Sequence, residues 1–297
     1  MDALLSMHYA APWWLPGGNL QTIWSALVAK RFSGPAPRLV RERWSAPDND
    51  FVDVDFTAPP SVAAAPLLVV FHGLEGSSES HYAQAFANVA LARGWGCAIP
   101  HFRGCSGEMN HAPRAYHSGD FEEIDWILRR LRARHSGPLL AVGVSLGGNA
   151  LMRWAGEMGA SAGAVVSAVA SVSSPLDLAA GGWAIGRGFN RLVYTRMFLK
   201  TMVPKALLKL DQHPGLFSRE RLLAARNLHD FDNIFTAPLH GFKDTDDYWS
   251  RASAKPHLGG IRVPALALNS RNDPFVPASS LPVAADVSPS LTLWQPA

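Results

Sequence analysis

The sequence predicts a doubly wound α/β fold, a mostly parallel sheet with helices on both faces and one helical insertion. Three observations point there. Short, almost wholly apolar runs recur along the chain, as strands buried on both faces require. Helical patterns separate the early runs, which is the rhythm of a sheet wound in βα units. Between about residues 173 and 250 that rhythm stops: Leu, Phe, Met and Arg follow helical spacing with no strand pattern until Val263.

Taken in order, FVDVDF (Phe51–Phe56) alternates apolar and acidic residues, which predicts a half-exposed strand. The Pro/Ala stretch Ala58–Pro66 is a loop between strands. The buried strands are LLVVF (Leu67–Phe71), GCAIP (Gly96–Pro100), LLAVGV (Leu139–Val144), AGAVVSAV (Ala162–Val169) and VPALALN (Val263–Asn269). Helices are expected over Tyr82–Arg93, Asp120–Arg134 and Asn149–Met158, and SLTLWQPA (Ser290–Ala297) is the last strand.

At 297 residues, 48% hydrophobic and 17% charged, the chain can bury the core of one large domain, 1–297, with the insertion inside it. The net charge of +3 is scattered, and its densest cluster (Arg129, Arg130, Arg132, Arg134) falls on a helical pattern as a solvated face. Nucleic-acid binding is therefore not expected. Two cysteines, Cys97 and Cys105, make no disulfide framework and fit a reducing compartment. The N-terminal stretch has Asp2 where a leader carries basic residues, and Pro12 cuts its apolar run. It predicts neither a secretion signal nor a membrane span, so a cytoplasmic location is the expectation.

GVSLGGN (Gly143–Asn149) follows the strand LLAVGV and opens a helix, the setting in which G-x-S-x-G presents a nucleophilic serine. Small residues must flank Ser145 because the turn is sharp, and the backbone N–H of Leu146 points where an oxyanion would form. A second donor is expected from the loop FHGLEGSSES (Phe71–Ser80), from the N–H of Leu74, because two amides must converge on the developing charge. His72, in the same loop, is read as shaping it and not as the base. NSRNDPF (Asn269–Phe275) follows a late strand, where Asp273 is placed to orient an imidazole. His101, His111 and His117 lack compact ligand spacing, so no metal is expected, and no cofactor either. Arg103, in HFRGCSGE, is read as a buried ion-pairing residue.

With PWWLPGGNLQTIW, FHGLEGSSESHY, HFRGCSGE, YHSGD, GVSLGGN, FDNIFTAPLHGFKDTDDYW and NSRNDPF in view, the chain resembles the YheT-like branch of the α/β-hydrolases along nearly its whole length. The resemblance implies the α/β-hydrolase fold and hydrolysis of carboxylic esters, with short-chain esters or monoacylglycerols as substrates. It matches the nucleophile to Ser145 and the acid to Asp273. The insertion is then a cap, whose Trp183, Phe189, Tyr194, Met197 and Phe198 are expected to supply an apolar acyl pocket, Trp183 and Phe198 foremost.

The resemblance also implies a histidine in a loop after the last strand. None of the eleven histidines follows Asp273, the last being His257. Three readings stand: a fragment of a normal enzyme whose base lies beyond Ala297, a short form without activity, or another histidine moved into the role. The first is the most economical, because everything before the break looks intact. An acyltransferase or a catalytically inactive ligand-binding protein on the same scaffold are the alternatives to an esterase.

Overall fold

The computed structural model describes residues 9–29, 32, 34–60, 62 and 64–296. The N-terminal stretch read for leader and span lies partly outside these residues, as do positions 61 and 63 of the Pro/Ala loop and Ala297.

Eight strands form one sheet: β1 (Val40–Ser45), β2 (Phe51–Phe56), β3 (Leu67–Phe71), β4 (Gly96–Pro100), β5 (Leu139–Val144), β6 (Ala168–Val172), β7 (Ala265–Leu268) and β8 (Leu291–Trp294). Their order is β1-β2-β4-β3-β5-β6-β7-β8. Strand β2 runs antiparallel to β1 and β4, and every pairing from β4 to β8 is parallel. The apolar runs follow from cover on both faces. Alternate residues of β3 enter different cores: Val69 and Phe71 meet Ile124, Leu128 and Leu151, while Leu68 and Val70 meet Ala83, Ala87 and Ala90. Those partners belong to α3 (Phe121–Arg134) and α4 (Leu146–Met158) on one face and α2 (His81–Ala92) on the other. Ahead of the sheet stands α1 (Gly18–Leu27).

Between β6 and β7 the described chain is helical: α5 (Leu178–Ile185), α6 (Gly188–Asn190), a π-helical turn over Arg191–Thr195, α7 (Arg196–Gln212), α8 (Arg219–Ala224), α9 (Leu228–Ile234), α10 (Thr236–Leu239) and α11 (Thr245–Ala252). These helices share a second core around Phe231, Phe235, Tyr248 and Trp249. The side chain of Leu74 packs against both this core and that of the sheet. No helix among the described residues is long and apolar enough to cross a membrane.

Two elements differ from the sequence expectation. The apolar run AGAVVSAV begins as a 3-10 turn over Gly159–Ala164, and the strand starts only at Ala168. Small residues let the chain coil there, and an apolar run carries no signal that separates a buried turn from a buried strand. Strand β2 is not half-exposed: Asp53 and Asp55 are buried. Strand β1 covers them, with Arg43 bonded to Asp53 at 2.8 Å and Arg41 to Asp55 at 2.7 Å, and Ser78 and His101 complete the shell of Asp55 at 2.6 and 2.9 Å. Alternation found the two faces correctly, but the acids are neutralised across strands and not by water.

Arg103 makes the buried ion pairs expected of it, to Asp48 and Asp50 at 2.8 Å and to Glu123 at 2.5 Å. Removing one member of such a set leaves buried charge uncompensated. Arg103→Ala should therefore lower the unfolding free energy by about 3–5 kcal/mol in urea denaturation. Burial alone would raise the Asp50 carboxyl, but bonds from Asn110 and from the amides of His111, Phe51 and Ala112 bring it down to about 2. Its folded value lies below its unfolded value of about 4, so its contribution is full above pH 4 and lost as pH falls towards 2. Stability should decline across that window, and Asp50→Asn should flatten the decline.

Candidate active site

Ser145 closes β5 with φ 53° and ψ −119°, a left-handed conformation that a non-glycine residue holds only when its surroundings impose it. The surroundings here are glycines. A Cβ on Gly147 would stand 2.4 Å from the carbonyl oxygen of His72 and 2.6 Å from that of Phe71. A Cβ on Gly143 would stand 2.4 Å from the carbonyl oxygen of Gly147, and one on Gly148 would stand 1.9 Å from Ser174 Oγ. Helix α4 can thus begin directly beneath β3 and β6, which leaves the serine raised at the strand ends. The amide of Ser145 donates to Val172 O at 2.9 Å, tying the elbow to β6.

The loop after β3 lies against this elbow, and a Cβ on Gly73 would be 3.2 Å from that of Ser145. Three side chains outside the loop hold it. Tyr82 Oη accepts from the Gly73 amide at 2.8 Å, Tyr116 Oη accepts from the Glu75 amide at 2.9 Å, and Lys205 of α7 pairs with Glu75 at 2.9 Å. They support Glu75 in a second left-handed backbone, φ 57°. The amides of Leu74 and Leu146 are not used in any turn, loop or cap hydrogen bond among the described residues.

His72 is fully engaged elsewhere. Its Nδ1–H donates to Gly73 O at 2.8 Å and its Nε2 accepts from the Phe102 amide at 3.0 Å. Burial pushes it down to about 3, so it is a neutral bracket between the loops after β3 and β4. Asn149, the last residue of GVSLGGN, is also a bracket: its amide nitrogen donates to Ser118 O and Ala252 O at 2.9 Å, and its oxygen accepts from the Ala254 amide at 2.9 Å.

Asp273 sits in the turn after β7, where its Oδ1 accepts from the Phe275 amide at 2.8 Å. Burial raises its carboxyl, opposed by the amides of Phe275 and Val276. Among the described residues no hydrogen bond or ion pair joins a histidine to Ser145 or Asp273. His117 lines the same cavity as Ser145, but burial pushes it down to about 3, its Nδ1 accepts from the Gly119 amide, and its ring lies 4.7 Å from that of His240. Among the described residues no group of three or more His, Cys, Asp or Glu could hold a metal ion.

A mainly apolar cavity of about 140 Å³ opens beside Ser145, between the sheet loops and the helical segment. Leu74, Leu146, Phe198, Met202, Phe231 and Phe275 are among its walls. Of the five side chains expected to form an acyl pocket, Phe198 alone lines it. Trp183 does not, because α5 turns Gly181, Gly182 and Ile185 inward and leaves the indole outside. There it is 42% exposed, stacked on His229 at 5.0 Å and edge-on to Trp249 at 5.8 Å. Phe189 and Met197 face solvent, and Tyr194 packs on Phe275 at 4.5 Å.

Compared with known proteins, residues 66–297 match the model of the alpha/beta hydrolase fold family. The chain belongs to that family. It is 39% identical over 254 residues to the Escherichia coli (strain K12) protein named "Putative esterase YheT", covering 84% of this chain and 74% of that protein, which puts it in the YheT-like branch. It is 27% identical over 263 residues to the Homo sapiens phospholipase ABHD3, covering 84% of this chain. It is 28% identical over 229 residues to the Saccharomyces cerevisiae monoacylglycerol lipase, covering 74% of this chain. The matches span 60% and 50% of the lengths of those two relatives. Among solved structures, the Pyrococcus furiosus esterase Pf2001 superposes with a TM-score of 0.56 at 14% identity, covering 88% of this chain and 83% of that one, a likeness of fold alone.

The packing at the elbow predicts a contrast between two glycines. Gly147→Ala, trapped between two backbone carbonyls, should cost at least about 3 kcal/mol of stability. Gly163→Ala, whose nearest neighbour would be 3.8 Å away on an exposed turn, should stay within about 0.5 kcal/mol, both read by thermal or urea unfolding.

Proposed function

We propose that this chain is a serine hydrolase of carboxylic esters, with the helical segment between β6 and β7 acting as a cap. The observation that carries the reading is Ser145 itself, a non-glycine residue held at φ 53° at a strand end and opening into an apolar cavity. Such strain persists only where packing over-determines it. In this mechanism Ser145 Oγ attacks the ester carbonyl and gives its proton to an imidazole. The amides of Leu74 and Leu146 hold the resulting oxyanion, and the tetrahedral intermediate collapses to an acyl-serine as the alcohol leaves with that proton. Water, deprotonated by the same imidazole, then releases the acid.

Asp273 is proposed to orient that imidazole and stabilise its cation. A half-buried carboxylate held by backbone amides alone favours a cationic partner, which would bring its raised pKa back down. The described histidines do not supply one, and a base pushed down to about 3, as His117 is, binds a proton poorly near pH 7. The proposal therefore assigns the imidazole to a histidine outside the described residues.

The cavity volume supports short acyl groups, since about 150 Å³ holds a molecule the size of benzene. The test is p-nitrophenyl ester turnover by this chain and by a version extended with a histidine-bearing C-terminal segment. The extended form should exceed the short form by a factor on the order of 10⁴, and Ser145→Ala or Asp273→Asn should remove most of the gain. It should prefer acetate or butyrate over laurate, and Phe198→Ala should move the optimum to longer chains while Trp183→Ala leaves it in place. Turnover of the short form that survives Ser145→Ala would contradict the assignment of the nucleophile. Saturable ester binding with no turnover by either form would favour a binding protein.

A further inference from the structure

The cavity and its catalytic loops leave one large surface feature without a role. Helix α1 buries none of its residues and exposes Trp24 (36%) and Leu27 (77%), and the stretch that leads into it exposes Trp13 (91%) and Trp14 (48%). This is an apolar surface that water solvates poorly, and Trp14 and Trp24 meet edge-on at 4.9 Å without covering one another. The helix is nevertheless fixed in place. Gly18 is pressed against the backbone of Asn272, Gln21 accepts from Asn272 Nδ2 at 3.3 Å, and Asn19 accepts from Tyr194 Oη at 3.1 Å.

That last contact joins α1 to the π-helical turn and α7. Here Phe189, Leu192, Val193 and Met197 are exposed, and Arg187, Arg191, Arg196 and Lys200 stand among them. None of these four cations has an ion pair to a carboxylate among the described residues, although Arg187 lies over the Trp183 ring. The sequence shows the same bias. The chain has 24 acidic residues in 297, yet none falls in residues 3–41 and none in residues 178–210. By contrast, two of the four arginines on the solvated face of α3 are paired with acids, Arg129 with Asp125 and Arg134 with Glu42.

We propose that α1 and the segment 183–200 form one docking face for an anionic lipid surface. Tryptophans and short aliphatic side chains interleaved with unpaired arginines suit the boundary between headgroup and acyl chain, where indole and guanidinium each find their preferred depth. Each cation near such a surface adds attraction, and the missing carboxylates remove repulsion. The face adjoins the cavity through shared elements: Phe198 and Met202 of α7 line the cavity, and Tyr194 packs on Phe275, which lines it too. Resting on the ester-hydrolase reading, this placement would draw substrate from the lipid phase into the Ser145 cavity.

The test is co-sedimentation of the 297-residue chain with phosphatidylcholine vesicles, with and without a phosphatidylglycerol fraction. The chain should partition onto the anionic vesicles, weaken as salt is raised, and shift its tryptophan emission to the blue. The triple substitution Arg187→Glu, Arg191→Glu and Arg196→Glu should reduce partition on the order of 100-fold, with thermal unfolding checked for each variant. Trp24→Ser, which removes apolar contact and no charge, should weaken partition and lessen the blue shift, and serves as the second variant if the triple one unfolds. Equal partition onto neutral and anionic vesicles, or none onto either, would overturn the proposal. So would a dimer of this chain that the triple substitution dissociates and that leaves no vesicle binding. Sedimentation needs no turnover, so failure of ester hydrolysis would count against the enzymatic reading and not against docking.

Discussion

The structure depends on how closely α4 begins beneath the strands that flank β5. Sheet order places β3 on one side of β5 and β6 on the other, so the loops after all three strands crowd one point. The chain can pass that point only if Gly143, Gly147 and Gly148 carry no side chain, and Ser145, midway between the first two, is forced to φ 53°. Ser145 is raised out of the sheet as a consequence. The loop after β3 then has only one place to lie, against the serine, with Tyr82, Tyr116 and Lys205 fastening it there. Because Lys205 belongs to α7, the helical segment and the loop bearing Leu74 are mechanically joined.

Much of this was legible because short-range rules carry it. Buried strands announce themselves as apolar runs, and a serine between glycines at a strand end marks a sharp turn whatever lies around it. The missing parts depend on long-range partners. That Asp53 and Asp55 face inward is set by Arg43 and Arg41 one strand away, and the same alternation fits a solvated face. Tyr82 and Tyr116 read as ordinary aromatic residues until their hydroxyls are seen under the Gly73 and Glu75 amides. The side of α5 that meets the cavity was legible only in retrospect: Gly181 and Gly182 allow close approach, which puts the indole of Trp183 on the outside.

The histidines show why residue type alone does not make a base. His72 stands next to the elbow, yet both its nitrogens are committed to backbone groups and its burial favours the neutral form. His117 reaches the cavity but is equally desolvated. Asp273 has the complementary character, a half-buried carboxylate with amide donors and, among the described residues, no cation bonded to it. The proposed nucleophile, amide donors and acid are thus supported by separate parts of the fold, and the described elements place no histidine as the proton acceptor that the proposal requires.

Chemical rescue by free imidazole tests that account most directly. Imidazole is small enough to enter the cavity of about 140 Å³ beside Ser145, and its own background hydrolysis of p-nitrophenyl acetate is measured with Ser145→Ala under the same conditions. The account predicts little turnover without imidazole and a saturable increment with it, absent from Ser145→Ala and much reduced in Asp273→Asn. Identical imidazole dependence in the unaltered chain and Ser145→Ala would contradict it, as would full activity without imidazole that is lost in His117→Ala.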